Sequence, residues 1–185
     1  GEPIDLAQHL AARQTIRAGV LCNNAEIDPD QQQATGDPME VALLYAGEKA
    51  GMPPQDVRQQ FKQKDEIPFQ TEQRFMASIH HDDEHDQPLV AIKGAPETVL
   101  SMCDSQRAAD GSDEPLDRQA VEDANDALAG EGLRVLAAAE GRGQDAADVI
   151  HEDQPQGFTF LGLVGLLDSP RDSAVHAVDN AHQAG

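Results

Sequence analysis

Hydrophobic and polar positions along the chain alternate between two periods. Leu6 to Arg17 has helical spacing, with Leu6 and Leu10 on one face, and a short apolar run follows at Val20 to Cys22. Asp28 to Gly36 is polar and Gln-rich and reads as loop. "GDPMEVALLYAGEKAG" is a helix with local start and stop signals. Asp37 is placed to cap, Pro38 suits the first turn, Glu40 follows, and Gly51 ends it. Val41, Leu44, Tyr45 and the stem of Lys49 are its expected buried side. Pro53 and Pro54 open a shorter helix with Val57 and Phe61 four apart.

The period then changes to two. Phe75, Ala77 and Ile79 face one way and Arg74, Met76 and Ser78 the other, which predicts a half-buried strand. "PLVAIK" predicts its partner, so Arg74 to Lys93 reads as a hairpin with a polar tip. Pro96 to Cys103 reads as helix and Ser105 to Asp113 as loop. Leu116 to Leu128 is a helix ended by Gly130 and Gly132. "LRVLAAAE" is a strand, Gly141 to Gln156 a polar connection, and "FTFLGLVGLLD" a buried strand before a final helix start. The mixture predicts an α+β fold with a largely antiparallel sheet flanked by helices.

Composition narrows the function classes. The 185 residues carry 34 Asp and Glu against 13 Lys and Arg, a formal charge of −21. No basic footprint for nucleic acid exists, and anionic membrane surfaces are disfavoured. The acid is spread over the whole length, as in proteins adapted to high salt, where screening removes self-repulsion. Cys22 and Cys103 form no framework and are expected as reduced thiols. No apolar run reaches the length of a membrane helix, and the N-terminus has no signal-peptide pattern.

Walker-type, GxGxxG and GxSxG motifs and a zinc spacing do not occur. "HHDDEHD", His80 to Asp86, has the ligand types for a divalent metal, but at a hairpin tip it reads first as a solvated loop. An acidic, non-enzymatic divalent-cation-binding module is the alternative that this tip keeps open. Lys93, one of four lysines, has two readings of equal weight. It is either a strand-end lysine reaching for water or a cation beside a ligand approach opened by Gly94 at a helix start.

Six blocks in order resemble P-type ATPases. "CNNA" (Cys22 to Ala25), "GDPMEVALL" (Gly36 to Leu44), "PFQTEQRFM" (Pro68 to Met76), "KGAPE" (Lys93 to Glu97), "GLRVLAAA" (Gly132 to Ala139) and "FLGLVGLLDSPR" (Phe160 to Arg171) each match a stretch of that family. The family's DKTGT and GDGxND motifs, which belong to the phosphorylation domain, are not in this chain. The resemblance therefore implies the nucleotide-binding domain of a larger pump. Residues 1–169 would form that domain, and 170–185 a hinge and the start of a returning phosphorylation-domain helix.

The resemblance also implies roles. Phe69 would stack on adenine, Glu40 would accept from its amino group, and Lys93 would line the pocket floor. Gly94 would keep the wall thin, and Arg134 would reach the ribose or phosphates. Arg74 aligns with a nucleotide-contacting lysine, although "EQRFM" has one cation where the family usually has two. Asp168 and Arg171 would sit at the hinge. The cofactor would be ATP, with Mg²⁺ in the parent protein. The partners would be the phosphorylation and actuator domains of the same polypeptide, with no nucleic acid and no direct membrane contact. An isolated domain would be a monomer without turnover, in the cytoplasm beside a multi-pass membrane region. The motif wording leans toward calcium-type pumps. An autonomous hydrolase is disfavoured because no nucleophile and base are paired in the sequence.

Overall fold

The structure, a computed structural model, describes residues 6, 9–28, 33–151 and 155–167. Asp168, Arg171 and the expected final helix lie outside the described residues. The elements are helix α1 (Leu10–Leu21), strands β1 (Glu26–Asp28) and β2 (Gln33–Thr35), helices α2 (Pro38–Lys49) and α3 (Pro54–Gln60), and strands β3 (Phe61–Ile67), β4 (Phe75–Asp82) and β5 (Gln87–Gly94). They continue with α4 (Pro96–Ser101), β6 (Cys103–Arg107), β7 (Asp113–Pro115), α5 (Arg118–Gly130), β8 (Arg134–Arg142), α6 (Gly143–Val149) and β9 (Phe158–Leu166).

Seven strands form one sheet in the order β3-β4-β5-β8-β9-β6-β7, and β1 pairs with β2 separately. Every neighbouring pair is antiparallel except β6 with β9. The fold is thus α+β with a mostly antiparallel sheet.

The sheet is covered on both faces. Phe75, Ala77, Ile79, Val90, Ile92, Ala137 and Ala139 pack with Val99 and Leu100 of α4, Val121 of α5 and Ala147 of α6. Met76, Leu89, Ala91 and Ala138 pack on the other face with Ala18, Val20 and Leu21 of α1, Leu44 of α2 and Val57 of α3. This corrects the half-buried reading of β4, because the side of Met76 and Ser78 is buried under the layer of α1, α2 and α3. It also moves α1, which runs through the apolar stretch Val20 to Leu21 and buries it. On α2 the buried residues are Leu43, Leu44 and Gly47, whereas Tyr45 and Lys49 are exposed. A Cβ on Gly47 would meet Val20 at 2.7 Å, so close contact between α1 and α2 sets that face.

β2, β6 and β7 lie in or beside stretches that read as loop, and β3 starts at Phe61, which reads in the sequence as helix. β3 and β7 are polar edges, β6 is largely polar, and β2 falls in the Gln-rich stretch. Lys62, Lys64, Asp65 and Glu66 make β3 a charged edge, which protects it from pairing with another chain and removes the apolar alternation. The Gly141 to Gln156 connection contains α6, anchored by Ala147 and Ile150.

Candidate functional site

Asp37 caps α2 by accepting from the Met39 amide at 2.8 Å, and Pro38 sets the first turn. This places Glu40 against the turn that leaves α1. The Glu40 backbone carbonyl accepts from Asn23 Nδ2 at 2.9 Å, and its Oε2 accepts from the Asn24 amide at 3.2 Å. Its Oε1 accepts from Lys93 Nζ at 2.5 Å.

Lys93 lies near the end of β5, across from Met76 of β4 and Ala138 of β8, on the face covered by α1 to α3. It is 9% exposed, so it does not extend into water as a strand-end lysine would. Burying an unpaired ammonium is costly, and the Glu40 carboxylate offsets that cost. Gly94, the next residue, pairs with Phe75, and a Cβ there would stand 2.5 Å from the Arg74 carbonyl oxygen. The Ala95 amide donates to that same oxygen at 2.9 Å. Gly94 is therefore required by the close approach of two strands.

Arg74 has a left-handed backbone, φ 58°, where the β3–β4 loop re-enters the sheet. Its guanidinium pairs with Glu97 of α4 at 2.6 Å, and both side chains are more than half exposed. Its side chain is thus bonded to the helix after Gly94 rather than to the Glu40–Lys93 pair. Arg134 opens β8 and is exposed, and its Nη1 donates weakly to Met39 Sδ at 3.5 Å, one residue from Glu40. Phe69 rides the same β3–β4 loop, which the Arg74 amide closes onto Gln70 O at 2.8 Å. Four of the five phenylalanines are at most 6% exposed, whereas Phe69 is 60% exposed. Phe69 is therefore not a core residue.

The starts of β4 and β8 and the end of β5 share one end of the sheet, and α2 brings Glu40 to it. Glu40, Lys93 and Arg134 are linked there through direct contacts or an adjacent residue, and Gly94 touches the Arg74 backbone. A cavity of about 640 Å³ lies beside the other side of the loop, lined by Ile67, Glu72, Phe75, Met102 and Ile150 among others. None of the residues read as nucleotide-contacting lines it.

The His80 to Asp86 cluster is divided by the strand period. His80 is buried, with Nδ1 on Phe61 O at 3.1 Å and Nε2 on Ser78 Oγ at 2.8 Å. Burial pushes its pKa down to about 4. Asp82 is buried too and accepts from Arg142 Nη1 at 2.9 Å, while its Oδ1 receives the Glu84 amide of the turn. These two are structural rather than solvated, which corrects the reading of the whole cluster as an open loop. Among the described residues, no group of three or more His, Cys, Asp or Glu side chains converges to hold a metal ion.

Cys22 and Cys103 are free and buried, and burial pushes both thiols up to about 12, so neither supplies a thiolate. The sheet end instead offers the buried Lys93 cation and the Arg134 guanidinium, while the exposed Phe69 ring and the Arg74 guanidinium belong to the adjoining β3–β4 loop. The sheet end also offers a carboxylate with two of its roughly four acceptor positions in use. Such groups recognise an aromatic base with an amino group and an anionic tail. Asn23 and Asn24 escaped sequence reasoning as site residues, although "CNNA" was the signal that marks them.

A family model described as "P-type ATPase, cytoplasmic domain N" matches residues 11–173. The chain is 36% identical over 187 residues to the probable cation-transporting ATPase F of Mycobacterium tuberculosis, covering 99% of this chain and 20% of that protein. It is 35% identical over 173 residues to the cation-transporting ATPase pma1 of Synechocystis sp., covering 92% and 19%. A calcium-transporting ATPase of Listeria monocytogenes is 29% identical over 177 residues, covering 94% and 20%. The chain spans about a fifth of the length of these relatives.

Proposed function

The chain belongs to the family of P-type ATPase cytoplasmic N domains, and we propose that it binds ATP and presents the terminal phosphate to an aspartate in a separate domain of the same polypeptide. The observation that carries this reading is Phe69, the one phenylalanine left in solvent, on a loop that returns to the sheet opposite Gly94. Its ring stacks on adenine. Glu40 accepts from the adenine amino group with the lone pairs that Lys93 and Asn24 leave free. Lys93 forms the floor of the pocket, Gly94 keeps its wall thin, and Arg134 reaches the ribose or phosphates. Arg74 contributes by exchanging Glu97 for phosphate. ATP fits this donor set because one aromatic face, one carboxylate and nearby cations match a base, an amino group and a polyanion. Mg²⁺ neutralises charge during phosphoryl transfer and belongs with the phosphates and the attacking aspartate.

The parent protein on this reading is a cation-translocating pump, of calcium type by its motif wording and by its likeness to the calcium-transporting ATPase of Listeria monocytogenes. Residues 1–169 form the nucleotide domain, and Asp168 and Arg171 mark the hinge toward the phosphorylation domain, with the actuator domain as a further partner. The formal charge of −21 reflects adaptation to high salt. Thermal melts at low and high KCl test that adaptation, and absence of stabilisation by salt overturns it.

Binding is expected to be modest, on the order of 0.1–1 mM, because one stack and few hydrogen bonds carry it. Titration of ATP and AMP against the amide NMR spectrum of the 185-residue chain is the test. Loss of response in Phe69→Ala and Lys93→Ala supports the pocket, and unchanged binding in both overturns it.

A further inference from the structure

We infer that Asn23 is a positioning residue that sets preference for adenine over guanine nucleotides by fixing Glu40. The inference rests on the nucleotide reading above.

Asn23 is buried between the end of α1 and the start of α2. Its Nδ2 donates to Gly19 O at 3.0 Å and to Glu40 O at 2.9 Å, and its Oδ1 accepts from the Ala25 amide at 2.8 Å. Both amide protons are thus used to join the last turn of one helix to the first turn of the other. The turn is held from outside as well. Arg58 Nη2 of α3 donates to Asn23 O and to Ala25 O, each at 3.0 Å. The Asn24 amide that bonds Glu40 Oε2 belongs to this same turn. One short segment therefore holds Glu40 by its backbone and by its carboxylate, while Lys93 holds the other oxygen.

A fixed carboxylate discriminates between purines. Adenine presents an amino donor where guanine presents a carbonyl, and a carboxylate accepts from the first and repels the second. A carboxylate free to rotate away loses that discrimination, because the mismatch is then relieved at little cost. Asn23 touches no nucleotide in this scheme and acts through Glu40.

The test measures ATP and GTP affinities by amide NMR titration of the full chain, comparing wild type with Asn23→Ala, Arg58→Met and Glu40→Gln. The wild type is expected to prefer ATP by about tenfold, the value of one hydrogen bond to a charged acceptor. Glu40→Gln removes the preference, and Asn23→Ala reduces it to within about twofold, chiefly by weakening ATP. The ratio is insensitive to partial unfolding, which lowers the apparent affinity of both nucleotides equally, so a merely structural role leaves it unchanged. An unchanged ratio in Asn23→Ala, with Glu40→Gln collapsing it, overturns the inference and leaves the nucleotide reading intact. A ratio that Glu40→Gln does not move also overturns the inference, and a wild type that binds neither nucleotide overturns both. If Asn23→Ala does not fold, Arg58→Met loosens the same turn, and its ratio is judged in the same way.

Discussion

The two faces of the sheet are both buried and chemically opposite. The face under α4, α5 and α6 packs apolar side chains, with Phe75, Phe158 and Phe160 at its centre. The face under α1, α2 and α3 shares its apolar contacts with Ser78, His80, Asp82, Lys93 and Glu140, all buried. On this second face the polar groups are paired rather than scattered. Glu140 receives Arg17 at 2.5 Å and Arg107 at 2.9 Å, and Arg142 approaches it at 3.5 Å while also binding Asp82. Lys93 and Glu40 form a second, smaller pair at the sheet end. An apolar face stabilises without regard to pH or partner. A paired polar face is sensitive to the loss of any one member.

The contrast can be broken from either side. Phe158→Ala opens a cavity in the apolar face and is expected to cost about 3–5 kcal/mol in urea unfolding. Affinity for ATP per folded molecule is expected to stay unchanged, because Phe158 packs on the face of the sheet opposite the Glu40–Lys93 pair. Glu140→Gln leaves the arginines without their carboxylate on the polar face, and is expected to cost about 3 kcal/mol in the same measurement.

Acid separates the faces without mutation. The folded pKa of His80 is about 4 against an ordinary 6.5, so the unfolded chain takes up its proton first. Stability is therefore expected to fall as pH drops from 6.5 toward 4 and to level off below for this group, by roughly 3 kcal/mol in total. His80→Gln should flatten that part of the pH profile of unfolding. The smallest effect on stability belongs to the site. Phe69→Ala is expected to leave unfolding within about 0.5 kcal/mol, since the ring is already exposed. It should weaken ATP by about tenfold, the worth of a stacked base.

How much of this was legible depended on range. The start of α2 was readable because Asp37, Pro38 and Glu40 act within one turn. β5, β8 and β9 were readable because central strands need continuous apolar residues. β3 and β7 were not, because a polar edge strand is held by backbone bonds to a neighbour and carries no side-chain period. The motif blocks pointed to Phe69, Lys93 and Glu40 as candidates. They did not reveal that Arg74 turns to Glu97, or that Asn23 stands behind Glu40.

The sequence by itself determined the central strands, the capped helix, the acidic surface and the order of family blocks. Each of these follows from neighbours a few residues apart or from composition. Only the tertiary structure decided which side of each strand meets which helices, and which phenylalanine stays outside. It also decided that Lys93 finds Glu40 across 53 residues of chain. Local preference does not extend over such a distance. A pairing of that range is set by sheet register and by the seat of α2 on the sheet, and these are properties of the whole fold.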